Sequence, residues 1–251
     1  MTDERGGKLL VIGTPIGNLE DITLRALRVL VEVDALACED TRHTRRIFER
    51  HGIAAPRLIF SYHEHNEERA SRRIVELLEE GQSVGLCTNA GMPSISDPGY
   101  DAISQATEGG FRVEVIPGPS AVETALVASG LPASSYVFKG FPPRKPGPRK
   151  RFLALERDLP HTLVLFESPH RVGKLLADAC EVLGDRRAAV CVELTKMFEQ
   201  IDRGHLGELG ERYADKVVKG EITVVIAGNH PKLIRSTPPT GEPPVPRTAR
   251  P

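Results

Sequence analysis

Short apolar runs alternate along this chain with longer amphipathic stretches, and glycine, proline or paired polar residues punctuate most junctions. The first run, residues 8–13, predicts a buried strand. Asp21 is placed to cap a helix whose apolar side holds Leu24, Leu27 and Val31, with Leu30 beside them. Residues 35–38 predict a second strand that ends in Glu39-Asp40, and a polar helix over 42–50 stops at Gly52. Residues 58–60, 83–87 and 111–116 predict further strands. Helices are expected over 66–81, capped by Asn66, over 102–108 and over 121–129.

A second unit follows, with strands over 162–166, 188–192 and 222–227. Ser168 and Pro169 are expected to start a helix whose core face is Val172, Leu175, Leu176, Ala179, Val182 and Leu183 and which stops at Gly184. This alternation predicts an α/β protein of two α/β domains with mostly parallel sheets and helices on both faces. The expected divisions are a flexible N-terminus over 1–7, an N-terminal domain over 8–119, a C-terminal domain over 120–230, and a disordered tail over 231–251. That tail holds seven prolines and little apolar content.

Composition changes the picture in one respect. The chain has 251 residues, 40% of them hydrophobic, and 33 Lys and Arg against 34 Asp and Glu. Net charge therefore gives no sign of a nucleic-acid partner, but the charges are unevenly placed. No acidic residue occurs between Glu123 and Glu156, while Lys139, Arg144, Lys145, Arg149, Lys150 and Arg151 cluster there. Four prolines and two glycines over 139–151 predict an extended segment, flanked by Phe138, Phe141 and Phe152. It suits an RNA backbone, with a solvated linker as the alternative. Cys38, Cys87, Cys180 and Cys191 lack any metal-ligand spacing and sit in apolar surroundings, so free thiols of a reducing cytosol and no metal are expected. No apolar run approaches the ~20 residues of a membrane span, and the short polar N-terminus is not expected to act as a signal peptide.

The candidate chemistry lies in the loops after the strands. Residues 88–99 are nearly uncharged and rich in glycine and proline, which lets backbone groups approach a small ligand at the carboxyl end of a strand. Similar punctuation recurs at 15–18, 39–40, 63–65, 117–121, 167–168 and 193–196. Seven such junctions on two consecutive α/β units point to a cleft between them. The patterns GxGxxG, GxxxxGK[ST] and GxSxG are absent, which argues against a Rossmann dinucleotide site, a P-loop and a hydrolase elbow.

Several motifs converge on one family. Residues 11–19 (VIGTPIGNL), Glu39-Asp40-Thr41-Arg42, Ser61-Tyr62-His63-Glu64-His65-Asn66-Glu67, Ser96-Asp97-Pro98-Gly99-Tyr100, Pro117-Gly118-Pro119-Ser120-Ala121, Glu167-Ser168-Pro169-His170-Arg171 and Glu193-Leu194-Thr195-Lys196 resemble the ribosomal RNA small-subunit methyltransferase I family. That family is tetrapyrrole-methylase-like, of class III methyltransferases, and the resemblance runs from Leu9 to Gly228. It implies a cytoplasmic homodimer that binds S-adenosylmethionine between its domains. It also implies 2′-O-methylation of a cytidine in the decoding region of 16S rRNA within the small ribosomal subunit. Carried over, it places the cofactor against Pro15, Asn89, Ala90, Gly91, Met92, Ile95, Ser120, Ala121, Phe166 and Leu194. The RNA would meet Arg144, Lys145, Arg149, Lys150 and Arg171.

Two positions depart from the family pattern: Asn89 stands where aspartate is usual, and Val192 where arginine precedes Glu193. The first removes a negative charge from a loop expected to face a cationic cofactor, which predicts weaker binding. Met92 replaces a common threonine. Candidates for the base that takes the ribose proton are His63, His65, Glu39, Asp40 and Lys196, and the spacing does not choose among them. A tetrapyrrole methylase and a ribosome-binding protein that has lost its cofactor are the competing functions.

Overall fold

A computed structural model of the chain describes residues 6–234. Residues 1–5 and 235–251, and with them most of the expected flexible N-terminus and tail, lie outside the described residues. The chain divides into two compact units. The first runs to Thr124 and takes back Glu193–Glu199; the second comprises Ala125–Val192 and the chain from Gln200 onward.

In the first unit, β1 (Lys8–Ile12), β2 (Ala35–Cys38), β3 (Leu58–Ser61), β4 (Ser83–Cys87) and β5 (Arg112–Ile116) form a sheet in the order β3-β2-β4-β1-β5. Every pairing is parallel. The helices are α1 (Leu24–Glu32), α2 (Thr41–His51), α3 (Glu67–Glu79) and α4 (Tyr100–Glu108), with α5 (Ala121–Ser129) leaving the last strand. Side chains alternate across a strand, so an apolar run serves two cores at once. Leu9 and Val11 of β1 pack with Ile74, Leu78 and Ala102 on one face, while Leu10 and Ile12 pack with Ala26, Leu30 and Phe48 on the other. Because β4, β1 and β5 are neighbours, the loops that follow them emerge side by side at the carboxyl edge.

The second unit holds β6 (Tyr136–Phe138), β7 (Thr162–Glu167), β8 (Arg187–Val192), β9 (Gln200–His205) and β10 (Ile222–Ile226) in the order β6-β7-β10-β8-β9. Its helices are α6 (Pro146–Ala154), α7 (Val172–Leu183) and α8 (Leu206–Tyr213). Here the sheet is mixed rather than mostly parallel. Among the described residues β6–β7 pairs in parallel, and the other three pairings are antiparallel. The expected face of α7 is buried in full, from Val172 to Leu183.

Four local expectations shift. Asp21 belongs to a 3-10 turn, and the Thr23 hydroxyl caps α1 by accepting from the Ala26 N–H at 3.1 Å. The helix therefore starts later, burying Ala26, Val29 and Leu30 and leaving Leu24 and Val31 exposed. Ser168-Pro169 lies in a turn, and α7 begins at Val172. Residues 146–154 are helical, not extended, because Pro146 and Pro148 fall in a first turn whose N–H groups need no helical partner. Residues 231–233, assigned to the tail, make a 3-10 turn, and Ile234 bridges to Arg186. Among the described residues no helix is long and apolar enough to cross a membrane.

Candidate functional site

Four segments of the first unit meet at the carboxyl edge of its sheet. Thr14 and Gly91 exchange backbone hydrogen bonds, with Thr14 N–H donating to Gly91 O at 2.9 Å and Gly91 N–H to Thr14 O at 3.0 Å. The Thr14 hydroxyl donates to Thr88 O at 3.0 Å, so the loops after β1 and β4 are tied at two points. Gly13 and Gly118 press backbone against backbone: a Cβ on Gly13 would lie 2.7 Å from Gly118 N and Cα. The fourth segment, Glu193–Glu199, closes on the first loop, where Asn18 N–H donates to the Thr195 hydroxyl at 3.1 Å. Its Lys196 side chain and Leu194 carbonyl cover Gly17. Pro15 and Leu194 are buried within this assembly, and Met92 has its sulfur against Gly13.

The backbone here is held in unusual conformations. All four non-glycine residues with positive φ among those described lie in these loops: Ser94 (72°), Ser96 (61°), Glu193 (52°) and Thr195 (64°). Each such residue costs on the order of 1 kcal/mol or more, so the surroundings must over-determine it. One anchor is visible. The buried Tyr62 hydroxyl donates to Glu67 Oε1 at 3.0 Å and accepts from Ala102 N–H at 3.2 Å, while Gly99 N–H donates to the same Glu67 oxygen at 3.0 Å. This latch fixes the end of the 88–99 loop to α3, and burial pushes the Tyr62 phenol well above its usual range. Tyr62→Phe leaves the Glu67 and Ala102 groups short of a partner. It is expected to lower unfolding free energy by about 1–3 kcal/mol in denaturant titration, and an unchanged midpoint would remove the latch.

Asn89 follows β4. Its N–H donates to Glu39 Oε2 at 3.1 Å, and its side-chain oxygen is buried with no hydrogen-bond partner. Ala90 is half-buried and Ile95 exposed at the rim. Gly91 adopts φ +76°, and an added Cβ would meet nothing closer than Ile16 Cγ2 at 3.7 Å and Pro119 O at 3.9 Å. An added Cβ would therefore make only ordinary contacts, and what sets this buried glycine apart is its left-handed backbone. Ser120 bonds Glu123, and Ala121 opens α5.

The candidate bases separate by environment. Asp40 caps α2 by accepting from Arg42 N–H at 2.8 Å, and its other oxygen accepts from the Arg42 guanidinium at 3.0 Å. These bonds pull its carboxyl down to about 2, which makes it a poor proton acceptor. Lys196 is paired with Glu193 at 2.8 Å, and an ammonium has no lone pair to offer. His63 and His65 stand edge to face with ring centroids 6.0 Å apart. The turn that carries them is closed by Asn66, which accepts from His63 N–H at 2.8 Å and donates to Ser61 O at 3.0 Å instead of capping α3. His63 Nδ1 is buried without a partner; His65 is exposed. Among the described residues no group of three or more His, Cys, Asp or Glu is arranged to hold a metal ion.

The remaining expected residues belong to the second unit. Phe166 lies on β7 in an aromatic cluster with Phe138 and Phe141, at centroid separations of 4.8 and 5.6 Å. Arg144 and Lys145 are exposed. Arg149 turns inward instead: it is 2% exposed, and its Nε donates to Asp178 at 2.7 Å. Lys150 pairs with Glu181 at 2.5 Å, and Arg171 with the buried Glu167. The acid-free stretch is thus partly neutralised by carboxylates of α7 that lie some thirty positions away in sequence. Val192 is buried in the second core.

Residues 8–210 match the family model of the tetrapyrrole (corrin/porphyrin) methylases. The chain is 48% identical over 229 residues to the ribosomal RNA small subunit methyltransferase I of Micromonospora olivasterospora, covering 90% of this chain and 72% of that protein. This chain belongs to the ribosomal RNA small subunit methyltransferase I family. The relative from Halalkalibacterium halodurans is 43% identical, with 90% of this chain and 78% of that protein covered. A solved structure of uroporphyrin-III C-methyl transferase from Thermus thermophilus, complexed with S-adenyl homocysteine, superposes with a TM-score of 0.59 at 21% identity. It covers 87% of this chain and 97% of that one, and shows that the fold is shared.

Proposed function

We propose that the chain uses S-adenosylmethionine to methylate the ribose 2′-oxygen of a cytidine in the decoding region of 16S rRNA, within the small ribosomal subunit. It would act in the cytoplasm as a homodimer. Membership of the family supports the rRNA methyl transfer, and the decoding-region cytidine follows from the motif resemblance. The structural observation that carries the reading is the tied junction of the loops after β1 and β4: a buried glycine held at φ +76°, beside a buried acceptor that lacks a donor.

The residues present fit such a cofactor. The Asn89 side-chain oxygen supplies an acceptor for an ammonium or a hydroxyl group, and Gly91, having no side chain, lets the loop backbone come close to a ligand. Pro15, Ala90, Met92, Ile95, Ser120, Ala121 and Leu194 would complete the contacts, with Phe166 of the second unit. S-adenosylmethionine supplies an electrophilic methyl carbon on a cationic sulfur. The chain's own work is to align the ribose oxygen and take its proton. His65 fits the second task, since its exposed imidazole makes no hydrogen bond among the described residues and a neutral ring nitrogen can accept a proton. Lys196, held by Glu193, fits the first by donating to a ribose or phosphate oxygen.

An alanine series measured at saturating cofactor on small subunits tests this reading. His65→Ala is expected to lower kcat by roughly 10²–10⁴-fold, with Asp40→Ala remaining within about tenfold. Transfer undiminished in His65→Ala assigns the base to Glu39 or His63, whose variants complete the series. A wild-type protein that transfers no methyl group overturns the function.

A further inference from the structure

Away from these loops, α3 and β3 enclose a depression of about 550 Å³, lined by Phe60, Ser61, Asn66, Arg69, Arg72 and Arg73, with Glu76 at its end. Among the described residues β3 pairs with β2 alone, so its outer edge borders this depression. Asn66, Arg69, Arg73 and Glu76 recur at helical spacing and form one stripe of α3. The three arginines are differently committed. Arg72 is paired with Glu68 at 3.2 Å, and Arg73 lies over the Phe60 ring at 4.5 Å. Arg69 is exposed and makes no ion pair among the described residues.

We propose that this arginine-lined depression binds the phosphodiester backbone of the RNA substrate. The proposal rests on the reading that the substrate is RNA and extends it to a surface that the cofactor loops do not include. A guanidinium presents a planar fork that matches phosphate oxygens, and it keeps its charge at any physiological pH. Arg69 and Arg73 stand one helical turn apart, which suits successive phosphates of a single strand. Stacking of Arg73 on Phe60 orients its fork without neutralising it. The depression begins at Ser61 and Asn66, the residues that close the His63–His65 turn, so RNA seated in it is led toward the proposed base. Charge along an open strand edge also discourages strand addition. That role asks for charge of either sign; it does not ask for three arginines around a hollow.

The test uses the full chain, an Arg69→Gln/Arg73→Gln double variant and Glu76→Gln. Each is titrated at several salt concentrations with protein-free 16S rRNA and with intact small subunits. The double variant is expected to bind both at least tenfold more weakly. Its dependence of log affinity on log salt should be shallower by about 1.4–1.8, the equivalent of two phosphates. Its affinity for S-adenosylmethionine stays at the wild-type value, and Glu76→Gln binds RNA more tightly. Wild-type affinity and slope in the double variant overturn the proposal and leave the arginines as edge guards. A loss seen with subunits but not with protein-free RNA also overturns it, assigning the surface to a ribosomal protein. If the double variant fails to fold, Glu76→Gln decides, and unchanged or weaker binding counts against the groove. Failure of the wild-type chain to bind RNA or transfer a methyl group is a separate result, which removes the function itself.

Discussion

Gly91→Val is expected to abolish binding of S-adenosylmethionine in calorimetry, a loss of at least a hundredfold, while the chain stays folded. Two effects combine at this position. With φ at +76°, a β-branched residue is strained by about 1–3 kcal/mol, although the backbone bonds to Thr14 can persist. The larger effect is occupation of space. The Cβ itself would stand in ordinary contact, at 3.7 Å from Ile16 and 3.9 Å from Pro119 O, and the methyls beyond it are expected to take the room that the proposed cofactor needs. Gly91→Ala, which stops at the Cβ, is expected to bind several-fold more weakly than wild type and well above the valine variant. Equal affinity in all three chains would move the cofactor away from Gly91.

Gly13→Ala is expected to cost more stability than any other single methyl placed in these loops, about 3 kcal/mol. Its Cβ would lie 2.7 Å from two backbone atoms of Gly118, and a Cβ on Gly118 would in turn lie 2.8 Å from the carbonyl group of Gly13. The Met92 sulfur, at 2.6 Å, can swing aside; the facing backbone cannot without parting β1 from β5. Thermal unfolding should fall by roughly 6–12 °C. Gly147→Ala serves as the control, because its Cβ meets nothing closer than 3.7 Å and stands in a helix that favours alanine. A Gly13→Ala protein that melts with wild type would mean that the two loops are not packed as described.

What was legible in the sequence was whatever depended on local pattern. The continuous apolar runs of β1, β2 and β4 announce strands buried on both faces, and all three belong to the parallel sheet. The glycine and proline content of 88–99 marked a loop, and four strained residues now lie in that loop and in Glu193–Glu199. Partners brought together by the fold were not legible. The cluster over 139–151 reads as basic because Asp178 and Glu181 approach it only once α7 has packed against α6. β9 carries a polar sequence that gave no strand signal; its order comes from pairing with β8. Antiparallel insertion of β10 is likewise a property of the whole sheet and not of its own apolar run. The Tyr62–Glu67 latch joins β3, α3 and the loop end through one hydroxyl, and no spacing rule reveals it.

The most direct measurement is incorporation of labelled methyl groups from S-adenosylmethionine into small ribosomal subunits taken from cells lacking this protein, followed by nucleoside analysis of the RNA. The expected product is 2′-O-methylcytidine at a single site in the decoding region of 16S rRNA. Subunits that bind the protein and acquire no label, or a label on a base instead of a ribose, would contradict the account.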